Sequence, residues 1–224
     1  MVNKKMLNLA FDTTAMGCAV ALMDDDKVLR KSVKKMDFGQ AESLMIEIQS
    51  ILQNESIKME DLDLITVCTG PGSFTGVRSS LAAARTFGLA LPNVKLTGVS
   101  AFEAYIEDLD FDELAELNAV IIETKRSDFY FQLFDAKRKS LCEPMAAEYE
   151  DIIKMLRHKK VSIIGDGAER FLAKPSGLSL HVIKMEDMVS IEALARCGKK
   201  RMEKKNLDYP KPLYLRAPDV CVKN

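Results

Sequence analysis

The sequence predicts an α/β protein of two lobes in which one βββαβαβ unit occurs twice, and three observations carry the prediction. Residues 6–99 and 118–173 present strand and helix patterns in the same order. Each copy opens with a strand ending in an acid, Asp12 in the first and Glu123 in the second, and each acid precedes a hairpin aspartate, Asp24 or Asp135, by twelve residues. In each copy a later apolar strand also runs into a glycine turn and then a helix: 64–69 into Gly70-Pro71-Gly72, and 161–164 into Gly165-Asp166-Gly167.

Taken in order, residues 6–12, 18–23 and 28–33 read as a β-meander, the last two strands joined by the acidic turn Asp24-Asp25-Asp26-Lys27. A helix follows at 40–54, with Ala41, Leu44, Met45, Ile48, Ile51 and Leu52 at helical spacing on one face. The strand 64–69, the glycine loop, a helix at 77–91 stopped by Pro92, and a strand at 95–99 complete the unit. Residues 100–117 form the seam, read as helical. Its acids Glu103, Glu107, Asp108, Asp110, Asp112, Glu113 and Glu116 have no histidine partners, so they read as a solvated connecting face rather than a metal cluster. The second copy gives strands at 118–123 and 129–135, a third near 140–142, a strand at 161–164 and a helix at 169–173, and a last helix starts near Ser190. This places the lobes at 1–102 and 103–224, with the tail from about 206 packing back on the first lobe.

Bulk composition frames the function. The 224 residues are 47% hydrophobic, enough for a substantial core, and the 12 methionines read as adaptable filler within it. With 32 Lys and Arg against 33 Asp and Glu, a net charge of −1 gives no global pull toward nucleic acid or membrane. Cys18, Cys68, Cys142, Cys197 and Cys221 are scattered and form no Cys-x-x-Cys pair, which reads as reduced thiols and a cytoplasmic protein. No apolar run approaches the ~20 residues of a membrane span, and the N-terminal stretch is too interrupted for a signal sequence.

The densest motif is Gly70-Pro71-Gly72-Ser73-Phe74-Thr75-Gly76-Val77-Arg78. Bare N–H groups ahead of a helix can cradle a phosphate or admit another backbone at very short range. Equally, the glycines can simply make the turn, with Ser73 or Thr75 capping the helix. Asp12, Thr13 and Thr14 fit a vestigial phosphate loop or an ordinary Asx turn, which leaves Asp12, Thr13 and Gly72 as candidate cofactor-binding residues. Gly165-Asp166-Gly167 reads as a strand-to-helix turn or as a neighbour of an adenine. Arg196, Lys199, Lys200, Arg201, Lys204 and Lys205 form the dense basic run, suited to a helix C-terminus on a solvated face or to weak tRNA phosphate contact.

The duplicated unit is similar to the actin, hexokinase and Hsp70 (ASKHA) superfold, whose two lobes close on a nucleotide held by acids and glycine loops. The whole string from Gly70 to Arg78 resembles the signature of the TsaB (YeaZ) family, the dimerisation subunit of the bacterial complex that makes threonylcarbamoyladenosine (t6A) in tRNA. Three further segments match in order: Leu9-Ala10-Phe11-Asp12-Thr13-Thr14 with Cys18-Ala19-Val20-Ala21-Leu22, then Gly98-Val99-Ser100, then Pro212-Leu213-Tyr214-Leu215-Arg216-Ala217-Pro218-Asp219-Val220.

The resemblance implies a supporting role beside a catalytic homologue, TsaD, which carries a metal-binding pair of histidines, and an ATPase partner, TsaE. His158 and His181 lie too far apart for a His-x-x-x-His pair, and no Gly-Lys-Ser/Thr P-loop is present, so no catalytic and no metal residue is expected in this chain. No intrinsic cofactor is expected either; ATP or ADP has a place only at the junction with partner subunits. Two positions depart from the family pattern: Gln40 stands where many members have histidine, and Glu123-Thr124-Lys125-Arg126 replaces an Asp-Ala-Arg run, with Lys125 placed to neutralise Glu123.

Helix 77–91 carries an apolar stripe, Val77, Leu81, Ala84, Gly88 and Leu91, and a stripe of small residues, Ser79, Ala82, Ala83, Thr86 and Ala90. Ile46 lies opposite the apolar face of helix 40–54, among Glu42, Gln49 and Gln53. Because the family pairs through these two helices, Ile46, Ser79, Ala82, Ala83 and Thr86 are the expected partner interface, with TsaD or with a second copy in a homodimer. The alternative is a stand-alone nucleotide-binding small-molecule kinase of the same superfold, which needs complete phosphate loops in both lobes. A metallopeptidase-like hydrolase would need the missing histidine pair.

Overall fold

The computed structural model describes residues 5–157, 160–175, 177–178, 180–184 and 187–216, without the Lys184 side chain. His158, Cys221 and the 217–220 end of the C-terminal signature lie outside these residues. The first copy comprises β1 (Leu7–Asp12), β2 (Gly17–Asp24), β3 (Lys27–Lys35), α1 (Gln40–Asn54), β4 (Leu64–Cys68), α2 (Phe74–Ala90) and β5 (Lys95–Val99). After α3 (Ala101–Glu107), the second comprises β6 (Leu117–Glu123), β7 (Phe129–Asp135), β8 (Met145–Ala147), α4 (Tyr149–Leu156), β9 (Val161–Ile164), α5 (Ala168–Leu172) and β10 (Leu180–Lys184), and α6 (Ile191–Glu203) follows. The sheets run β3-β2-β1-β4-β5 and β10-β9-β6-β7-β8, so the two copies have one topology. In each, the meander is antiparallel and the last two strands join it in parallel.

Strand alternation divides the core into layers. Leu9, Phe11, Val20, Leu22, Ile65 and Val67 face α1 and α2 in one cluster, as period-two side chains of a sheet buried on both sides must. Ala10, Ala19 and Ala21 face the other way, into a cluster that joins α3, α6 and the second sheet through Val120, Ile122 and Ile164. A third cluster sits beneath α4 and α5. The small residues on the inner face of the first sheet leave room for α6. Asn8 Nδ2 donates to the Ala195 carbonyl at 2.9 Å, Thr66 Oγ1 donates to Asn8 Oδ1 at 3.0 Å, and Gly198 lies directly over Thr66.

Several elements differ from expectation. The third strand of the second copy is Met145–Ala147 rather than 140–142, where Ser140 makes only an isolated bridge to Phe134. In α1, Ala41 and Met45 are exposed, so the buried stripe narrows to Leu44, Ile48, Ile51 and Leu52 together with Glu47, whose charge is met by Lys34 at 2.5 Å. The seam is helical only at α3; Asp110, Asp112, Glu113 and Glu116 are exposed, as a solvated face requires, but α3 itself is a buried centre, with Ala101, Phe102, Ala104, Tyr105 and Ile106 all inside. Its acids meet the basic run of α6, with Lys200 on Glu107 at 2.6 Å, Arg201 on Glu103 at 2.7 Å and Arg196 near Asp108 at 3.5 Å, while Lys199 reaches Asp26 at 2.7 Å. The run is therefore largely engaged within the molecule. Helix α6, though it follows the second sheet in sequence, packs on the first.

A Cβ on Gly198 would stand 2.0 Å from Thr66 Oγ1, whereas one on Gly88 would meet only the tip of Leu96 at 3.0 Å. Gly198→Ala is expected to lower the unfolding free energy by about 2 kcal/mol despite a gain in helix propensity of about 1 kcal/mol. Gly88→Ala should leave it unchanged or higher. Urea unfolding of both variants checks the pair, and equal midpoints would show that α6 does not depend on this close approach.

Candidate functional site

The glycine loop is filled by the chain's own backbone. Ser73 N donates to the Thr14 carbonyl oxygen at 2.7 Å. A Cβ on Gly72 would stand 2.3 Å from that oxygen, and one on Gly76 would stand 1.8 Å from the carbonyl oxygen of Thr13. The β1–β2 turn thus passes over the loop at a range only glycine permits. Ser73 is the N-cap, its Oγ accepting from Gly76 N at 3.3 Å, so α2 begins at Phe74 and not at Val77.

The three candidate cofactor-binding residues lie together here. Asp12 is fully buried, and its Oδ1 accepts from Thr14 N at 2.7 Å in an Asx turn. Burial pushes its carboxyl above the usual range, against hydrogen bonds from Thr14 and Cys68. Thr13, also buried, donates from Oγ1 to the Gly76 carbonyl at 2.8 Å, and that Oγ1 is 2.7 Å from Ser80 Oγ, which also accepts from Thr13 N at 3.1 Å. Thr13 spends its hydroxyl and its amide on fixing the turn against α2, whereas the buried Asp12 Oδ2 has no hydrogen-bond partner among the described residues.

In the second lobe the cation on Glu123 is Arg170 of α5, not Lys125. Arg170 Nε and Nη2 bond Glu123 Oε2 and Oε1 at 2.7 and 2.9 Å, a two-point fork. Lys125 offers Glu123 its backbone N–H at 2.5 Å and turns its ammonium toward Met16 Sδ at 3.0 Å. Burial raises the Glu123 carboxyl, but the Arg170 fork together with the backbone N–H groups of Lys125 and Thr124 outweighs it and holds the group below its ordinary value. Asp166 Oδ1 accepts from Glu123 N at 2.9 Å. Burial, with the Glu123 and Asp187 charges adding to it, pushes the Asp166 carboxyl up to about 7 despite that hydrogen bond. Gly165 turns with a φ of +108° under the Ile121 carbonyl, which accepts from Gly167 N at 3.1 Å, so the Gly165–Gly167 turn is anchored to β6.

Between the lobes lies a cleft of about 1090 Å³. Its floor is Ala101, Tyr105, Ile122 and Val189, and its rim carries Met16, Phe74 and Asp166. Gln40, the position that departs from the family pattern, donates to the carbonyls of Met36 and Asp37 at 3.1 and 3.2 Å and so braces the entry to α1.

The second candidate surface is the outer face of the first lobe, where α1 and α2 lie side by side on the same core. Ile46 is 63% exposed, Met45 48% and Leu89 85%. Ala82 and Thr86 are exposed, while Ser79 and Ala83 are half-buried. The hydroxyls of Ser79 and Thr86 donate to the Thr75 and Ala82 carbonyls of their own helix, both at 2.9 Å, which leaves a low face with little polar demand. Sequence reasoning missed Arg170, Ser80 and Leu89. Leu89 was legible as an apolar side chain off the buried stripe, but the pairing of Arg170 with an acid 47 residues away had no local signal.

Fold and site together define a two-lobed protein of the ASKHA type whose glycine loop serves its own backbone. A family model described as TsaD, tRNA N6-adenosine threonylcarbamoyltransferase, matches residues 39–212. The tRNA threonylcarbamoyladenosine biosynthesis protein TsaB of Bacillus subtilis is 27% identical over 174 residues, covering 75% of this chain and 74% of that protein. Its namesake in Haemophilus influenzae is 27% identical over 175 residues, 71% of each. Among solved structures, YeaZ from Pseudomonas aeruginosa superposes with a TM-score of 0.79 at 19% identity, over 94% of this chain and 100% of that one. EutJ from Carboxydothermus hydrogenoformans does so at 0.51 and 8%, over 88% and 90%; these two likenesses establish the fold. The chain belongs to the family matched by that model and, within it, to the TsaB/YeaZ group.

The raised Asp166 carboxyl has a consequence of definite sign. Between the ordinary aspartate value of 3.8 and about 7, the folded state binds more protons than the unfolded one, so the unfolding free energy falls as pH rises through that window. Asp166→Asn keeps the acceptor for Glu123 N and is expected to remove this part of the decline, stabilising the protein most above the window. Urea unfolding across the window checks it; parallel curves for the two proteins would refute the assignment.

Proposed function

We propose that this chain is a non-catalytic subunit for t6A biosynthesis, which docks the catalytic homologue TsaD through the α1–α2 face and helps assemble the ATPase TsaE. One contrast carries the reading: the glycine loop takes the chain's own Thr13–Thr14 backbone against Gly72 and Gly76, while the helices it sets in place present an uncovered apolar face. Interfaces of this kind centre on exposed apolar anchors surrounded by small, satisfied groups, and Ile46, Met45 and Leu89 with Ala82 and Thr86 supply both. A homodimer of the free protein would use the same face. The basic run of α6 is engaged by Glu103, Glu107 and Asp26, which supports tRNA contact through the partner rather than through this helix.

A stand-alone kinase is less well supported. It would need the loop N–H groups and the Glu123 carboxylate turned toward a phosphate and its cation, where Thr14 and Arg170 already hold them. On this reading ATP or ADP has no site within the chain and belongs to a junction with partner subunits.

The double variant Ile46→Asp with Ala82→Arg is expected to weaken association with the TsaD of the same organism by roughly a hundredfold, as unpaired charges at an interface centre do. Ala82 suits this test because it is exposed, whereas Ala83 also packs on the core. Light scattering of the mixed proteins and tRNA threonylcarbamoylation with each protein omitted in turn are the measurements. Intact association of the variant would remove this face from consideration, full modification without the chain would end the subunit reading, and turnover by the chain alone would end the non-catalytic one.

A further inference from the structure

The segment after α6 touches both lobes in succession. Asp208 accepts from Arg201 at 2.9 Å through its carboxylate and from Gly98 N at 3.1 Å through its carbonyl. The Pro210 carbonyl accepts from Arg85 Nη2 of α2 at 2.8 Å, and Leu213 N donates to the Thr69 carbonyl at 2.9 Å. Gly98 allows this approach, since a Cβ there would stand 3.0 Å from Pro210 Cα. Up to this point the segment belongs to the first lobe. It then crosses the cleft: Leu213 and Leu215 pack on the core shared by the lobes, and Tyr214 stacks on Phe74 with ring centroids 5.6 Å apart. Arg216 ends the crossing on the second lobe, paired with Asp128 and lying 5.4 Å from the Tyr130 ring centroid.

The far anchor is not an isolated surface pair. Asp128 accepts from Thr124 Oγ1 at its carbonyl and carboxylate, 2.7 and 2.9 Å, and its carbonyl also accepts from Arg170 Nη2 at 2.8 Å. That is the guanidinium that forks onto Glu123. The Asp128 and Arg216 side chains are only 14% and 21% exposed, so solvent screens their attraction less than it would a surface pair.

We propose that residues 208–216 are an interlobe clasp, which fixes the angle between the lobes at the mouth of the cleft. Two lobes joined by a shared core at the floor of a cleft can rotate about that floor unless contacts at the mouth favour one angle. In a hinged two-lobe protein a bound ligand supplies such contacts. Here one covalently attached segment makes them, with backbone and Arg85 hydrogen bonds on one lobe and the Arg216–Asp128 pair on the other. Because Arg85, Phe74 and Arg78 all lie on α2, and Arg78 Nε reaches Tyr214 Oη at 3.4 Å, the clasp also ties the lobe angle to the helix of the outer face.

The test uses the full chain with Arg216→Glu and, separately, Leu215→Ser, each checked for its fold by circular dichroism. Hydrogen exchange is followed by peptide, and the interlobe distance is read by electron spin resonance between labels at Gln53→Cys of α1 and Lys154→Cys of α4. Both variants are expected to exchange the amides of 123–128 and 70–75 at least about tenfold faster, with the strands of both sheets still protected, and to broaden the distance distribution. Lys in place of Asp128 in the Arg216→Glu background should restore the narrow distribution. Unchanged exchange and distance in both folded variants would overturn the clasp. Loss of protection spread evenly over both sheets would also overturn it, since that marks a general contribution to stability. If Arg216→Glu does not fold, Arg216→Gln takes its place with the same exchange and distance outcomes, the charge-swap arm being omitted.

Discussion

The approach of the Thr13–Thr14 backbone to Gly72 and Gly76 is the contact on which the rest of the first lobe depends. No Cβ fits between these segments. Two glycines, a serine cap and a buried Thr13–Ser80 hydrogen-bond pair hold them at this range. The turn sets the first residue and the direction of α2, and through Val77, Leu81 and Ala84 it sets how α2 and α1 share one core. The same contact occupies the Ser73 N–H, one of the loop donors that a phosphate would use. One constraint therefore ties up part of the loop and fixes the helix that follows it.

Joining the lobes is a separate matter, and α6 is central to it. The inner face of the first sheet is built of Ala10, Ala19 and Ala21 because a helix must lie close against it, and Gly198 marks the nearest point. Charged groups around this helix serve placement more than net stability, since exposed pairs contribute only about 0–1 kcal/mol each. Glu107 differs: its side chain is 9% exposed and meets Lys200, Arg196 and Arg138 together. Removing any one partner leaves the acid paired, while removing the acid would leave converging cations.

The element order and the duplication were legible because strands and helices obey their own periods, and the twelve-residue spacing of acid and hairpin turn recurs. Boundaries failed where a side chain decided them. Ser73 captured Gly76 N and brought the start of α2 forward to Phe74. The third strand of the second copy sits later than its pattern suggested, because Met145–Ala147 finds the β7 edge while 140–142 only rounds the hairpin. At the site, the local motifs showed which residues gather but not whom they face. Glu123 followed by Lys125 looked like a neighbouring ion pair, yet positive φ at Lys125 points its amide at the acid and its ammonium elsewhere, leaving the carboxylate to Arg170. The seam misled for a related reason: its acids are solvent-seeking by type, but the cations that neutralise them are nearly a hundred residues away in sequence.

The two acids that end the first strands hold equivalent places in the two copies and sit in different surroundings. Asp12 is sealed beneath its own turn, where loss of solvent raises its carboxyl, and among the described residues no cation pairs with it. Glu123 keeps a partly open position, and Arg170 lowers its carboxyl by supplying the countercharge directly. A phosphate-and-metal site needs both acids ionised and turned to a common point. Burial works against the charge of the first, and the Arg170 guanidinium occupies the second. Either change works against such a site. The two strand ends border one cleft through Thr14 and Glu123, while each acid is held by contacts from its own lobe.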